Sequence, residues 1–141
     1  MFTLKLRYVA KINALTGEHI WSINMPVDDA VIGKKTGYES IAFTQDGGFI
    51  VSGFVHNGAP LFEKFSASVA NANSMPSTPV TEWTYICNGA AKCTVEGAAG
   101  SAKGIRIYVD NGREIVVTAP GGGGAILLVD ANTGNEVIAK R

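Results

Sequence analysis

Histidine and cysteine are scarce in this chain of 141 residues, with two of each. A structural zinc centre needs four ligands, and a nucleophilic triad needs a histidine beside its nucleophile. With only two histidines, His19 and His56, no such set is arguable. Charge of one sign is also missing: 12 acidic residues balance 12 basic ones. The net charge of zero gives no field for nucleic acid or an anionic membrane surface, and Lys34-Lys35 and Lys140-Arg141 are too short to act as basic patches. No apolar run approaches the ~20 residues that cross a bilayer as a helix. Charged residues make up only 17% against 46% hydrophobic, which excludes a disordered chain. A sustained helical period is absent too. Residues 66–72 come nearest, and Met75-Pro76-Ser77-Thr78-Pro79 closes them off. The opening Met1-Phe2-Thr3-Leu4-Lys5-Leu6-Arg7 is interrupted by charges, so it reads as an alternating strand rather than a signal peptide. Either a mature start has been given a Met, or the chain is a piece of something longer.

What the chain does have is glycine, 17 residues of it, spaced as turns between short apolar runs. That pattern predicts an all-β fold. Strands are expected at 3–13, 18–25, 39–44, 49–55, 60–66, 81–87, 103–109, 114–119, 125–130 and 136–140. Between them lie Thr16-Gly17, Gln45-Asp46-Gly47-Gly48, His56-Asn57-Gly58, Asp110-Asn111-Gly112 and Gly121-Gly122-Gly123-Gly124. Asp-Gly and Asn-Gly pairs are strong hairpin signals because both residues tolerate positive φ.

The chain also repeats itself. Ile12-Asn13-Ala14-Leu15-Thr16-Gly17-Glu18-His19-Ile20-Trp21 aligns without gaps on Val129-Asp130-Ala131-Asn132-Thr133-Gly134-Asn135-Glu136-Val137-Ile138, with Ala, Thr and Gly identical. Residues 41–53 similarly match 105–119. An internal repeat implies stacked copies of one unit, and four antiparallel strands per unit is the blade of a β-propeller. One domain, 1–141, is expected: a half-blade at 1–28, a blade at 39–87 and a blade at 103–141, together an incomplete ring. Propellers typically close with 4–8 blades, so the chain is expected to be a fragment or to associate with other subunits or further copies of itself.

The stretch from Ala14 to Trp21 resembles the repeat of quinoprotein-like (PQQ-type) β-propellers, in which Asp/Asn-Ala-x-Thr-Gly-x-x-x-Trp joins the third and fourth strands of a blade. Asn132 to Val137 resembles it less closely, with Ile138 at the Trp position, and the middle blade inserts about nine residues between Phe65-Ser66-Ala67 and Trp83. Residues 43–53 resemble a bacterial propeller repeat containing Thr-x-Asp-Gly-Gly-Phe-Ile-Val. The resemblance implies that Trp21 and Trp83 pack between adjacent blades, and that Gly17 and Gly134 are repeat turns. It implies no catalytic, cofactor or metal residues here. Quinone-dependent enzymes of the family use adjacent cysteines and a carboxylate set inside a closed ring, whereas five residues separate Cys87 from Cys93.

Cys87-Asn88-Gly89-Ala90-Ala91-Lys92-Cys93 is a short loop whose ends suit a disulfide, which would indicate an oxidising compartment (extracellular, periplasmic or an organelle lumen). Two buried thiols in a reducing cell are the alternative. Gly121 to Gly124 lacks the Lys-Ser/Thr and helix start of a phosphate loop and reads as a turn. Asp28, Asp29 and Asp46 read as solvated loop acids rather than a calcium site. A non-catalytic structural or protein-interaction module follows, using the loops at 26–38, 67–80 and 88–102. The alternative is part of a quinone-dependent dehydrogenase-like or carbohydrate-binding propeller.

Overall fold

The computed structural model describes residues 7–25, 36–55, 58–74, 81–87, 101–121 and 126–137. In chain order they form strands β1 (Arg7–Ile12), β2 (His19–Met25), β3 (Gly37–Phe43), β4 (Phe49–Val55) and β5 (Ala59–Phe65), helix α1 (Ala67–Asn71), then β6 (Thr81–Ile86), β7 (Arg106–Asp110), β8 (Arg113–Thr118) and β9 (Leu127–Asp130). All pairing is antiparallel between neighbours in sequence, giving sheets of two (β1-β2), four (β3-β4-β5-β6) and three strands (β7-β8-β9).

Each meander follows from local chemistry. At β7-β8, Asp110 pairs with Arg113 across a two-residue turn. Asn111 and Gly112 there take φ of 50° and 78°, the double positive φ of a tight hairpin. At β3-β4, Thr44 and Asp46 organise the turn: the Thr44 hydroxyl and the Gly48 amide both donate to the Asp46 carboxylate. Gly48 is tight for a further reason, since a Cβ there would lie 2.5 Å from the Phe65 carbonyl oxygen. Serine starts α1: Ser66 has extended backbone and its hydroxyl accepts from the Val69 amide, the N-cap arrangement.

The central strands of the four-stranded sheet, β4 and β5, are buried on both faces. Alternate residues of β4 point opposite ways. Phe49 and Val51 join Trp21, Ile23, Phe65 and Val69 in one core, shared with the two-stranded sheet. Ile50 joins Phe62, Tyr85 and Cys87 in a second core with Ala102, Ile105, Val116, Leu127, Val129 and Ala131 of the three-stranded sheet. The three sheets therefore stack face to face in chain order. Phe49 is at the centre of the first core, stacked on Phe65 at 5.0 Å and on Trp21 at 6.4 Å between ring centroids.

Two sequence expectations change, and a third residue gains a partner. Residues 66–72 form a capped helix, although only Val69 of it is buried. The expected strand at 136–140 shows one bridge, Val129 with Glu136, and 138–140 lie outside the described residues. Asp46 keeps an exposed side chain, 46% accessible, as a loop acid does, but it is also ion-paired. It faces Lys64, whose side chain is 2% exposed and is held by both Asp46 and Glu82. Asp28 and Asp29 lie outside the described residues.

The Asp46 pair makes stability depend on acid. Hydrogen bonds from Lys64 and then Thr44 lower the Asp46 carboxyl to about 2, against about 3.9 for the unfolded chain. A carboxyl with a depressed folded pKa contributes stability that is complete above its unfolded value and fades as pH falls toward its folded one. Denaturant midpoints should therefore decline between about pH 4 and about pH 2, and Asp46→Asn should flatten that decline. Equal slopes in the two proteins would contradict the pairing.

Candidate docking interface

The seams between stacked sheets are the candidate site, and tryptophan defines each of them. Trp21, on β2, is the last-strand residue of the two-stranded sheet and is 3% exposed. Its indole Nε1 donates at 3.1 Å to the carbonyl of Ala72, the C-cap of α1 in the connection between β5 and β6. Trp83, on β6, does the same one sheet further along, donating to the Ala131 carbonyl at 3.1 Å. Buried indole N–H groups require an acceptor, and here both find backbone oxygen just outside the strands of the neighbouring sheet. A lysine lies opposite each tryptophan on the adjacent strand, Lys11 across from Trp21 and Lys64 across from Trp83. Lys11 reaches over the seam to the Ala70 and Ala72 carbonyls at the end of α1, and the second of these also accepts from Trp21.

The turn that receives Trp83 is shaped by Asp130. Its carboxylate accepts from the Asn132 and Thr133 amides, both at 2.8 Å, and its backbone closes on Gly134 and Asn135. Gly134 has φ +72°, and a Cβ on it would lie 2.7 Å from the Trp83 ring. The indole thus rests directly on glycine backbone. Burial raises the Asp130 carboxyl, but hydrogen bonds from Arg113 and the turn outweigh it and hold the carboxyl below its ordinary value.

Polar side chains stitch the seams at other points. Arg7 pairs with Glu63 at 2.7 Å across the first seam, and Glu63, 2% exposed, also accepts from Tyr38 and Thr84. Burial, followed by the Glu63 carboxylate, pushes the Tyr38 phenol up. Across the second seam, Glu114 accepts from the Gln45 amide at 2.9 Å, Ser52 donates to the Ala102 carbonyl, and Tyr85 donates to Glu136. Burial and then Glu136 push the Tyr85 phenol up.

Among the sequence candidates, the structure brings Trp83 and Gly134 together and seats Trp21 on the stretch that follows α1. Gly17 adopts the expected turn with φ +75°. Cys87 is buried in the second core, and its predicted partner Cys93 lies outside the described residues. So do His56, Gly122 to Gly124, and most of the loops 26–38 and 88–102, with 75–80 of the loop 67–80. Glu63, Lys64, Arg7 and Glu114 escaped the sequence reading. The one available signal was the adjacent polar pair Glu63-Lys64 inside an apolar strand. Among the described residues, no group of three or more His, Cys, Asp or Glu could hold a metal ion, and no helix is long and apolar enough to cross a membrane.

The seam can be dissected by substitution. Trp83→Phe keeps most of the packing but leaves the buried Ala131 carbonyl without its indole donor, and should cost about 1–3 kcal/mol. Gly17→Ala meets only left-handed backbone strain, about 1–2 kcal/mol. Gly134→Ala meets the same strain plus the Trp83 ring, and overpacking adds about 1–3 kcal/mol. Urea unfolding of the two alanine variants checks this, and equal losses would remove Trp83 from contact with Gly134. Comparison of the chain with family models, curated proteins and solved structures finds no match.

Proposed function

We propose that this chain is a non-catalytic interaction module of the quinoprotein-like β-propeller kind, working as a subunit or segment of a larger assembly. It would associate by stacking its terminal sheets against sheets of other subunits or further copies. The observation that carries this reading is the repeated seam: each of two successive sheets gives an indole N–H to a carbonyl just outside the strands of the next. Such a head-to-tail contact has no built-in end point. Apolar side chains on the two terminal sheets support it. Tyr8 and Ile12 on β1 are 50% and 58% exposed, and Tyr108 and Val109 on β7 are 44% and 50% exposed. The buried charges of the middle sheet support a structural role as well, since Glu63 and Lys64 are taken up by Arg7, Asp46 and Glu82. The proposal includes a Cys87–Cys93 disulfide and hence an oxidising compartment. Thiol titration of the unfolded protein without reductant should find no reactive thiol, and two reactive thiols would remove that part of it.

Native mass tests the whole reading. Light scattering on a sizing column, with protein purified from its source, should give a multiple of 14.8 kDa or a larger complex. A mass of 14.8 kDa across the accessible concentration range would overturn it.

A further inference from the structure

The chain contains the tryptophan-receiving turn twice. Among the described residues only the copy at 130–135 holds an indole, and it shows what fits the other. In the turn at 13–18, Gly17 donates to the Asn13 carbonyl at 2.8 Å, and Asn13 donates to the Glu18 carbonyl at 2.8 Å. In the turn at 130–135, Gly134 donates to Asp130 at 2.9 Å, and Asp130 donates to Asn135 at 2.8 Å. The Asn13 side-chain oxygen accepts from the Leu15 and Thr16 amides, as the Asp130 carboxylate does from Asn132 and Thr133. The Thr16 hydroxyl accepts from the Glu18 amide at 3.3 Å, as Thr133 does from Asn135 at 3.3 Å. The glycine φ values are +75° and +72°. The two turns share all five of these hydrogen bonds.

Their surroundings differ. A Cβ on Gly134 would strike the Trp83 ring, whereas one on Gly17 would have nothing within 4 Å. Ala131 is fully buried, but its counterpart Ala14 is exposed. Beside Ala14, Leu15 is 97% exposed, and Ile12 and Tyr8 continue an apolar strip along β1. This strip lies on the sheet face opposite Trp21 and Ile23, which are already committed to the middle sheet.

We infer that the turn at 13–18 is a docking socket for a partner antiparallel β-sheet whose last strand carries a tryptophan. The indole would lie on Gly17 and donate its N–H to the Ala14 carbonyl, as Trp83 does at Gly134 and Ala131. The partner's apolar face would cover Tyr8, Ile12 and Leu15. The inference deepens the association reading above and rests on it. It adds which end receives, through which atoms, and what the partner must present.

The chain itself provides the probe. In the gapless alignment of the two repeats, Ile138 stands at the position of Trp21, so Ile138→Trp gives the full chain the side chain that the socket should recognise. One donor and one socket per chain make a heterologous contact, which builds rings or open chains. Sedimentation velocity of Ile138→Trp should therefore show association that grows with concentration, at least tenfold tighter than in the unchanged protein. Gly17→Asn in the same chain should return it to the behaviour of the unchanged protein, because Asn tolerates the left-handed backbone while its side chain occupies the ring site. A thermal melt of Gly17→Asn alone, within a few degrees of the unchanged protein, verifies the fold. If Ile138→Trp associates no more tightly, or if Gly17→Asn leaves that association intact, the socket is wrong. Should the unchanged protein still be oligomeric by light scattering in that event, association survives and only the socket fails. A monomer in every arm would end both.

Discussion

The stack depends on a sheet whose two central strands have no solvent face. An antiparallel sheet ordinarily keeps one side wet and alternates apolar with polar residues. In β4 and β5 nearly every side chain is buried, because Phe49 and Val51 enter one core while Ile50 and Phe62 enter another. Such a sheet is stable only with a neighbour on each side. At about 25 cal/mol per Å² of apolar surface, losing either neighbour would expose a row of large aromatic side chains. The two-stranded and three-stranded sheets are in this sense lids on the middle one, and each has a far face of its own to manage.

Double burial also explains the ionic detail. Glu63 and Lys64 are adjacent on β5 and point to opposite faces, so each needs a partner on its own side. Glu63 finds Arg7, Tyr38 and Thr84, and Lys64 finds Asp46 and Glu82. Burying a charge costs several kcal/mol unless it is paired and hydrogen-bonded, so such pairs are poor sources of net stability. They do fix geometry, however. Arg7 from β1 must lie over Glu63 of β5, which sets how the first sheet seats on the second. Lys64 draws the 44–48 turn onto the body of its own sheet, and that turn is where Glu114 of the third sheet accepts from Gln45.

Strand positions were legible in the sequence to within two or three residues wherever alternation met a Gly turn, as at β4, where 49–55 is both the expectation and the observation. The physical reason is that both signals are local: period two along the strand, and positive φ at Gly47 or Asn111-Gly112. Helix α1 was not legible, since five residues span too little to show a period, and its evidence is a single capping serine. Trp83 and the Gly134 turn could be singled out from the repeat, and they do meet. The acceptor of Trp21 could not, because it is a backbone carbonyl at Ala72 that any residue would supply. The pairing of Asp46 was not legible because its partner Lys64 is 18 residues away and becomes a neighbour only when β5 pairs with β4.

The unequal demands on the two sides of the indole contact have a consequence for how such repeats change over time. The donor must be tryptophan, because only an indole supplies a large ring with an N–H at its edge. The acceptor has no side-chain identity at all. At the second seam it is presented by a compact Asp130-to-Gly134 turn, and at the first by the exit of a short helix that has replaced that turn. Mutation is therefore free to rewrite the accepting half of a repeat, by insertion as readily as by substitution, provided one oxygen returns to its place. The donating half makes this contact only where the indole is present. One and the same indole contact can thus be met by two unrelated accepting segments, the turn at 130–135 and the exit of α1.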